Sequence, residues 1–292
     1  MKFAIYGNVE KPGLKDALRV LLAKLDHSGV DYALDDSMAP LLAGEKDPAF
    51  AHLRSRGTCL EGATMLVAFG GDGTILAAAR SVGRRGIPIL GVNLGKLGFL
   101  AELAPEELES AIGDILSGKY RIEERLVLEA RSTAQPGKVM YAVNDIVIDK
   151  SRSSRVIDIE THIDGIFAVT YRGDGLIIST PTGSTAYALS NGGPIVTPAS
   201  EVLGITPISP HTLSGRPLIV PASSVIRVVA HAESEEVLLS VDGQEEAFIR
   251  PPAEITACRA DYSIRLVKRT DRSYFDLLRA KLLWGRDALS LE

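Results

Sequence analysis

The stretch Met65-Leu-Val-Ala-Phe-Gly-Gly-Asp-Gly-Thr74 constrains this chain more than any other, because an apolar run ends abruptly in two glycines, a carboxylate, a third glycine and a hydroxyl. Five apolar residues that include Val and Phe suit a strand buried on both faces, as in parallel sheets. Residues 74–82 then read as a helix stopped by Gly83. Asp72 therefore falls at a strand-to-helix turn. In open α/β sheets ligands lie beyond the carboxyl ends of the strands, where glycine permits close backbone approach and a helix start offers N–H groups to phosphate. A glycine-rich turn with a capping Asp is the plain alternative, and the motif alone leaves both open.

Around this stretch the chain alternates strand and helix. Residues 3–6 read as a first strand, Gly7 and Asn8 as its turn, and residues 14–27 as a helix with Leu14, Leu18, Leu21, Leu22 and Leu25 on one face. Gly29 ends that helix and residues 30–34 suit a second strand. The first turn lacks Gly-x-Gly-x-x-Gly, which disfavours a dinucleotide cradled there. Residues 37–62 have weak periodicity with scattered Gly, Pro and charge, so a short helix and a loop both remain open. Residues 87–92 suit another strand, followed by Asn93-Leu-Gly-Lys-Leu-Gly-Phe-Leu100. Asn93 would share the sheet edge with Asp72, as a site residue or as a turn cap. Pro105 opens a further helix with acidic residues in its first turn, and Gly118 closes it.

From about Arg121 the rhythm changes to short strands, expected at 125–132, 139–149, 156–163, 166–171, 176–179, 224–230, 237–241, 247–250, 255–259 and 263–267. Asp164-Gly165 and Asp242-Gly243 are two-residue hairpin signals. Such spacing implies a β-sandwich-like domain. Residues 274–284 form a last amphipathic helix ended by Gly285, expected to return to the first domain. The expected fold class is α/β plus all-β: a Rossmann-like domain of residues 1–122 joined by 271–292, and a β-sandwich of residues 123–270.

A length of 292 residues lets each of two domains bury its own core. The net charge of -5 leaves no electrostatic footprint for nucleic acid or an anionic membrane as partner. No apolar run approaches the roughly 18 residues that span a bilayer. Cys59 and Cys258 lie far apart, without Cys-x-x-Cys or a His at ligand spacing, so neither a disulfide framework nor a zinc site is suggested. A cytoplasmic protein is expected.

Within the β region, Gly173-Asp-Gly-Leu-Ile-Ile-Ser-Thr-Pro-Thr-Gly-Ser-Thr-Ala-Tyr-Ala-Leu-Ser190 is richer in glycine and hydroxyls than a strand needs. A strand runs into a Pro-Thr-Gly turn, and Ser184 is expected to start a short helix carrying Thr185, Tyr187 and Ser190. Hydroxyls, an aromatic face and helix N–H groups suit an adenosine; a turn of small polar residues is the alternative. Asn144 and Asp145, in the middle of the strand expected at 139–149, are poor strand formers, which points to a site or to bulge or edge residues.

Gly-Gly-Asp-Gly-Thr at 70–74, the 93–100 stretch, Val143-Asn-Asp-Ile-Val147 and the 173–190 stretch, taken in that order, resemble the NAD kinase family over nearly the whole chain. The resemblance implies transfer of the γ-phosphoryl of ATP, with its Mg2+, to the 2′-hydroxyl of the adenosine ribose of NAD, giving NADP and so setting the NAD/NADP balance. It implies Asp72 as proton acceptor and dinucleotide contact, with Gly73 beside it. It further implies dinucleotide contacts from Asn144, Asp145, Arg155, Arg172, Asp174, Thr185, Ala186, Tyr187, Ala188, Leu189, Ser190 and Gln244, Ala188 and Leu189 through backbone and packing only. A homotetramer or homodimer is implied as well. No Gly-x-x-x-x-Gly-Lys-Ser/Thr loop is present, so ATP would rest on the glycine-rich turns, and no metal ligand set is visible. Lipid and sugar kinases also carry Gly-Gly-Asp-Gly, and a non-catalytic NAD sensor would lack the carboxylate; the 180–190 stretch and Asp72 argue against both.

Overall fold

The computed structural model describes residues 1–38, 41, 59–95, 98–212, 214–233 and 236–284. Most of the 37–62 stretch, Lys96, Leu97 and the helix-stopping Gly285 thus lie outside the described residues. The chain forms two compact units, Met1–Glu124 with Ile264–Glu292, and Arg125–Ser263.

The first unit opens with β1 (Lys2–Gly7), α1 (Leu14–His27), β2 (Asp31–Leu34), β3 (Met65–Gly70), α2 (Asp72–Val82), β4 (Ile89–Asn93) and α3 (Leu108–Leu116). The strands run parallel in the order β2-β1-β3-β4. All six residues of β3 are buried, as a two-face-covered strand requires. Its core gathers Phe3, Leu18, Leu21, Phe69, Val92 and Ile112. Register sets Gly7 beside Phe69 and Gly70 beside Asn93, so β1, β3 and β4 end along one edge.

The chain continues through β5 (Arg121–Ser132), β6 (Val139–Ala142), β7 (Asp145–Asp149), β8 (Ile157–Ile163), β9 (Ile166–Gly173), β10 (Gly175–Ser179), α4 (Tyr187–Ser190), β11 (Val202–Ile208), β12 (Leu218–Pro221), β13 (Ile226–His231), β14 (Val237–Val241), β15 (Glu245–Ile249) and β16 (Ala253–Lys268). In the second unit β16-β13-β8-β9 is one antiparallel set and β12-β11-β10-β7-β14-β15 the other. Ile148, Leu176 and Leu239 of one set share a core with Ile159, Val228 and Ile255 of the other. The chain then returns to the first unit, where Leu266 of β16 pairs with Ile89 and α5 (Tyr274–Leu282) follows. Ser273 caps α5, accepting from the Asp276 N–H at 3.2 Å while its own N–H donates to the Asp276 carboxylate.

Three strand expectations need correction. The strand expected over 139–149 is broken between Ala142 and Asp145, for a reason given below. The strands expected at 255–259 and 263–267 are one strand, β16, which carries Asp261 and Tyr262 without interruption. Strands β11 and β12 were not foreseen, because Gly204, Pro207 and Pro221 punctuate their sequence as a loop. Gly204 has a packing reason, since a Cβ there would press on the Ser179 hydroxyl at 2.7 Å.

Leu21, on the inner face of α1, is fully buried. Leu21→Ala is expected to cost about 2–5 kcal/mol of stability, the transfer term plus the cavity left behind. Urea unfolding followed by circular dichroism measures it, and a loss below about 1 kcal/mol contradicts the packing described.

Candidate active site

In the first unit Asp72 is the first residue of α2, two positions before the expected helix start, with extended Gly71 as the cap residue. One carboxylate oxygen accepts the N–H of Phe99 at 2.7 Å and the other that of Leu100 at 3.0 Å. A Cβ at Gly98 would overlap the Asp72 carboxylate, and one at Gly70 would overlap Thr74. The glycines thus permit close approach, one to the side chain of the site and one to the helix that bears it. Gly73 is exposed in the first turn of α2. Asn93 is nearly buried and bonds across its own turn, to the Gly95 carbonyl at 3.0 Å and from the Gly95 N–H at 3.2 Å. Of its two sequence readings, the turn cap is the one observed.

In the second unit the break between β6 and β7 is organised by Asp242. Its carboxylate accepts the N–H groups of Val143 at 2.9 Å, Asn144 at 2.7 Å and Asp145 at 3.1 Å. Its own N–H donates to the Asp145 carbonyl at 2.9 Å. Three successive N–H groups turned to one carboxylate cannot all serve a strand ladder, in which alternate groups point opposite ways. Asn144 therefore sits in the break rather than in mid-strand, and Asp145 opens β7. Asp242 and Gly243 both adopt left-handed backbone, with φ of 53° and 61°. The sequence pattern marked this pair as a hairpin turn and missed what its side chain does.

The other flank of the break is closed by the 180–190 turn. The Thr180 N–H donates to the Asn144 carbonyl at 2.9 Å and its hydroxyl to the Val143 carbonyl at 2.6 Å. A Cβ at Gly183 would overlap the Asn144 carbonyl, so only glycine lets the turn lie this close. The expected single helix from Ser184 is two pieces, a 3-10 turn at Gly183–Thr185 and then α4, separated by Ala186 in a non-helical conformation. Ser184 is spent elsewhere: its hydroxyl donates to the Pro181 carbonyl at 2.6 Å and accepts the Val196 N–H at 2.9 Å. The Thr185 hydroxyl donates to the Thr182 carbonyl at 3.2 Å. Ala188 is buried with Val147, Ile177 and Ile208, Leu189 is half-buried, and Tyr187 and Ser190 are exposed.

Asn144, Asp145, the 242–244 turn that carries Gln244 and the 180–190 turn are thereby brought together. Arg155, Arg172 and Asp174 are not among them. Asp145 pairs with Ser179 and Asp149 with Gly175, so the two ends of β7 lie about 13 Å apart at the usual strand rise. Asp174 is at the far end, paired with Lys150 at 2.7 Å. Arg172 lies 3.7 Å from Asp158, and Arg155 is ion-paired with Glu233. Among the described residues no group of three or more His, Cys, Asp or Glu could hold a metal ion.

Asp145 is buried, and that burial, reinforced by the negative charge of Asp242, pushes its carboxyl up to about 7. Desolvation penalises the charged form, and the neighbouring carboxylate adds repulsion.

A Gly-Gly-Asp-Gly turn at a parallel strand end and a hydroxyl-rich turn on an antiparallel unit define a nucleotide-handling class of two-unit proteins. The comparisons with known proteins narrow that class. The ATP-NAD kinase N-terminal domain matches residues 17–120, and the ATP-NAD kinase C-terminal domain matches residues 143–269. The NAD kinase of Bacteroides fragilis is 40% identical over 292 residues, 99% of each chain. That of Geobacter sulfurreducens is 41% identical over 97% of this chain and 99% of its own. Among solved structures, yeast NADH kinase complexed with NADH has a TM-score of 0.88 at 27% identity, over 98% of this chain and 88% of that one. An NAD kinase from Archaeoglobus fulgidus in complex with ATP has a TM-score of 0.75 at 25% identity, over 97% and 99%. The chain belongs to the NAD kinase family.

Between about pH 4, where an ordinary Asp titrates, and about 7, the folded chain keeps a proton on Asp145 that the unfolded chain has released. Stability from this group is therefore full below the unfolded value and is lost as pH rises through the folded one. Asp145→Asn never ionises and escapes that loss. Its stability relative to the parent is expected to rise from about pH 5 to about pH 8 in urea titrations; a difference that does not change with pH contradicts the assignment.

Proposed function

We propose that this chain, an NAD kinase, transfers the γ-phosphoryl of ATP to the 2′-hydroxyl of the adenosine ribose of NAD, making NADP and so setting the balance between the two. The observation that carries the reading is the Asp72 carboxylate, held at the end of β3 by two backbone N–H groups. Those two bonds leave about half of its lone-pair positions free. A sugar hydroxyl is a weak nucleophile, and Asp72 takes its proton as the new P–O bond forms. Positioning and charge neutralisation supply most of the rest, because the transition state of phosphoryl transfer is loose.

The dinucleotide is held by Gly73, Asn144, Asp145, Gln244 and the segment Thr185, Ala186, Tyr187, Ala188, Leu189 and Ser190. The exposed Tyr187 ring offers a face for the adenine, and Asn144 and Asp145 face the ribose. Arg155, Arg172 and Asp174, a strand length away, act on the dinucleotide of a neighbouring copy in a homotetramer or homodimer. The exposed Ile166 and Phe167 at the start of the edge strand β9 support such an assembly. A divalent cation, Mg2+, enters with ATP and neutralises phosphate charge; none of the described carboxylates is assigned to it.

Four parallel strands, three of them ending along one edge, support the Rossmann-like description of the first domain, and two antiparallel sets around one core support the β-sandwich. We place the functional domains at 1–122 with 271–292, and at 123–270. No helix of the described residues is long and apolar enough to cross a membrane; a cytoplasmic location with no nucleic-acid or membrane partner fits the chemistry of the substrates.

Asp72→Asn is expected to lower kcat by about 10²–10⁴-fold with NAD affinity retained. NADP formation at saturating NAD and ATP-magnesium measures it, and an unchanged rate removes Asp72 from proton transfer. Asn144→Ala is expected to weaken NAD binding by about 1–3 kcal/mol. Calorimetry on a folded variant tests this; equal affinity returns Asn144 to a purely structural place in the break.

A further inference from the structure

Proton transfer from a bound hydroxyl needs a carboxylate whose orientation is fixed before the ligand arrives, and the Asp72 carboxylate takes its bonds from Phe99 and Leu100, outside its own helix. We infer that the segment Gly98-Phe99-Leu100 is the positioning element for the Asp72 carboxylate, and that the ion pair of Glu102 with Lys268 anchors it. The proposal rests on the reading of Asp72 as proton acceptor.

The two oxygens of Asp72 are taken by consecutive N–H groups, Phe99 on one and Leu100 on the other, a fork that fixes both torsions of a short side chain. Gly98 completes the clamp by being absent as a side chain, since a Cβ there would overlap the carboxylate. Its backbone is outside the left-handed region, and the nearest atoms that a Cβ would meet are those of the carboxylate that it faces.

The clamp is anchored from below. The Glu102 and Leu103 N–H groups donate to the Gly91 carbonyl of β4 at 3.0 and 3.2 Å, and the Asn93 N–H donates to the Leu103 carbonyl at 2.8 Å. Lys268, the last residue of β16, bonds Glu102 at 2.7 Å, and the Arg269 N–H donates to the other Glu102 oxygen at 3.0 Å. The side chains of Lys268 and Glu102 are only 6% and 9% exposed. A buried ion pair contributes little net stability against an apolar pair of the same volume, so its use here is better explained by register. The Lys268 ammonium also lies 3.5 Å from the Leu100 carbonyl, and the Lys281 ammonium stands 5.1 Å above the Phe99 ring.

Gly98→Ala is expected to lower kcat about 10²-fold with the KM values for NAD and ATP within about twofold, because the carboxylate is displaced while the binding surfaces are not touched. Within the Gly98→Ala background, Asp72→Asn is expected to cost less than about threefold more, since a misplaced base has little left to lose. A structural role alone would leave the cost of Asp72→Asn as large as in the parent. Where Gly98→Ala does not fold by circular dichroism, Glu102→Leu combined with Lys268→Met removes the anchor without leaving a lone buried charge and is expected to show the same split. A parent-like kcat in the folded variant, or an undiminished cost of Asp72→Asn within it, overturns the clamp alone. A harmless Asp72→Asn in the parent overturns the reading of Asp72 first, and the clamp with it.

Discussion

The carboxylate of Asp242 decides where the β-rich unit interrupts its own hydrogen bonding. Three consecutive N–H groups, of Val143, Asn144 and Asp145, turn to it, and a strand cannot spare three in a row. The interruption frees the Val143 and Asn144 carbonyls to accept from Thr180, which docks the 180–190 turn on the same spot. One turn residue thus positions Asn144, Asp145 and, through Thr180, the start of the segment that carries Tyr187.

That arrangement has a cost borne by Asp145. Its backbone is bonded to Asp242 in both directions, while its side chain is buried near the same carboxylate that organises the break. Burial and like charge both favour the neutral form. Carboxyls perturbed in this way cluster at functional sites.

The turn that bears Asp72 and the break at Asn144 were legible in the sequence to different depths. Gly70 to Thr74 could be read directly, because an apolar run, glycines and a helix start are local signals and the parallel strand β3 obeys them. The break at Asn144 was visible only as poor strand chemistry. Its cause is 98 residues away in Asp242, where the Asp-Gly pair satisfies the rules for a hairpin turn whatever its carboxylate does. Strand β11 was hidden for a related reason: Gly204 and Pro207 read as loop residues until the neighbouring Ser179 hydroxyl explains why glycine is needed. The clamp on Asp72 likewise spans 27 residues: Gly98 in the 93–100 stretch marks a close backbone approach, but the local pattern does not say that Asp72 is what approaches.

Asp72 and Asp242 solve the same problem with opposite results. Each carboxylate gathers consecutive backbone N–H groups, a strong and directional bond set for a charged acceptor. Asp242 accepts three and gives them a structural task, since the backbone it holds is itself the platform for Asn144 and Asp145. Asp72 accepts two, one on each oxygen, and retains acceptor capacity on both. The Asp242 carboxylate orients the backbone around it, whereas at Asp72 the backbone of Phe99 and Leu100, with a glycine at 98 that leaves room, orients the carboxylate.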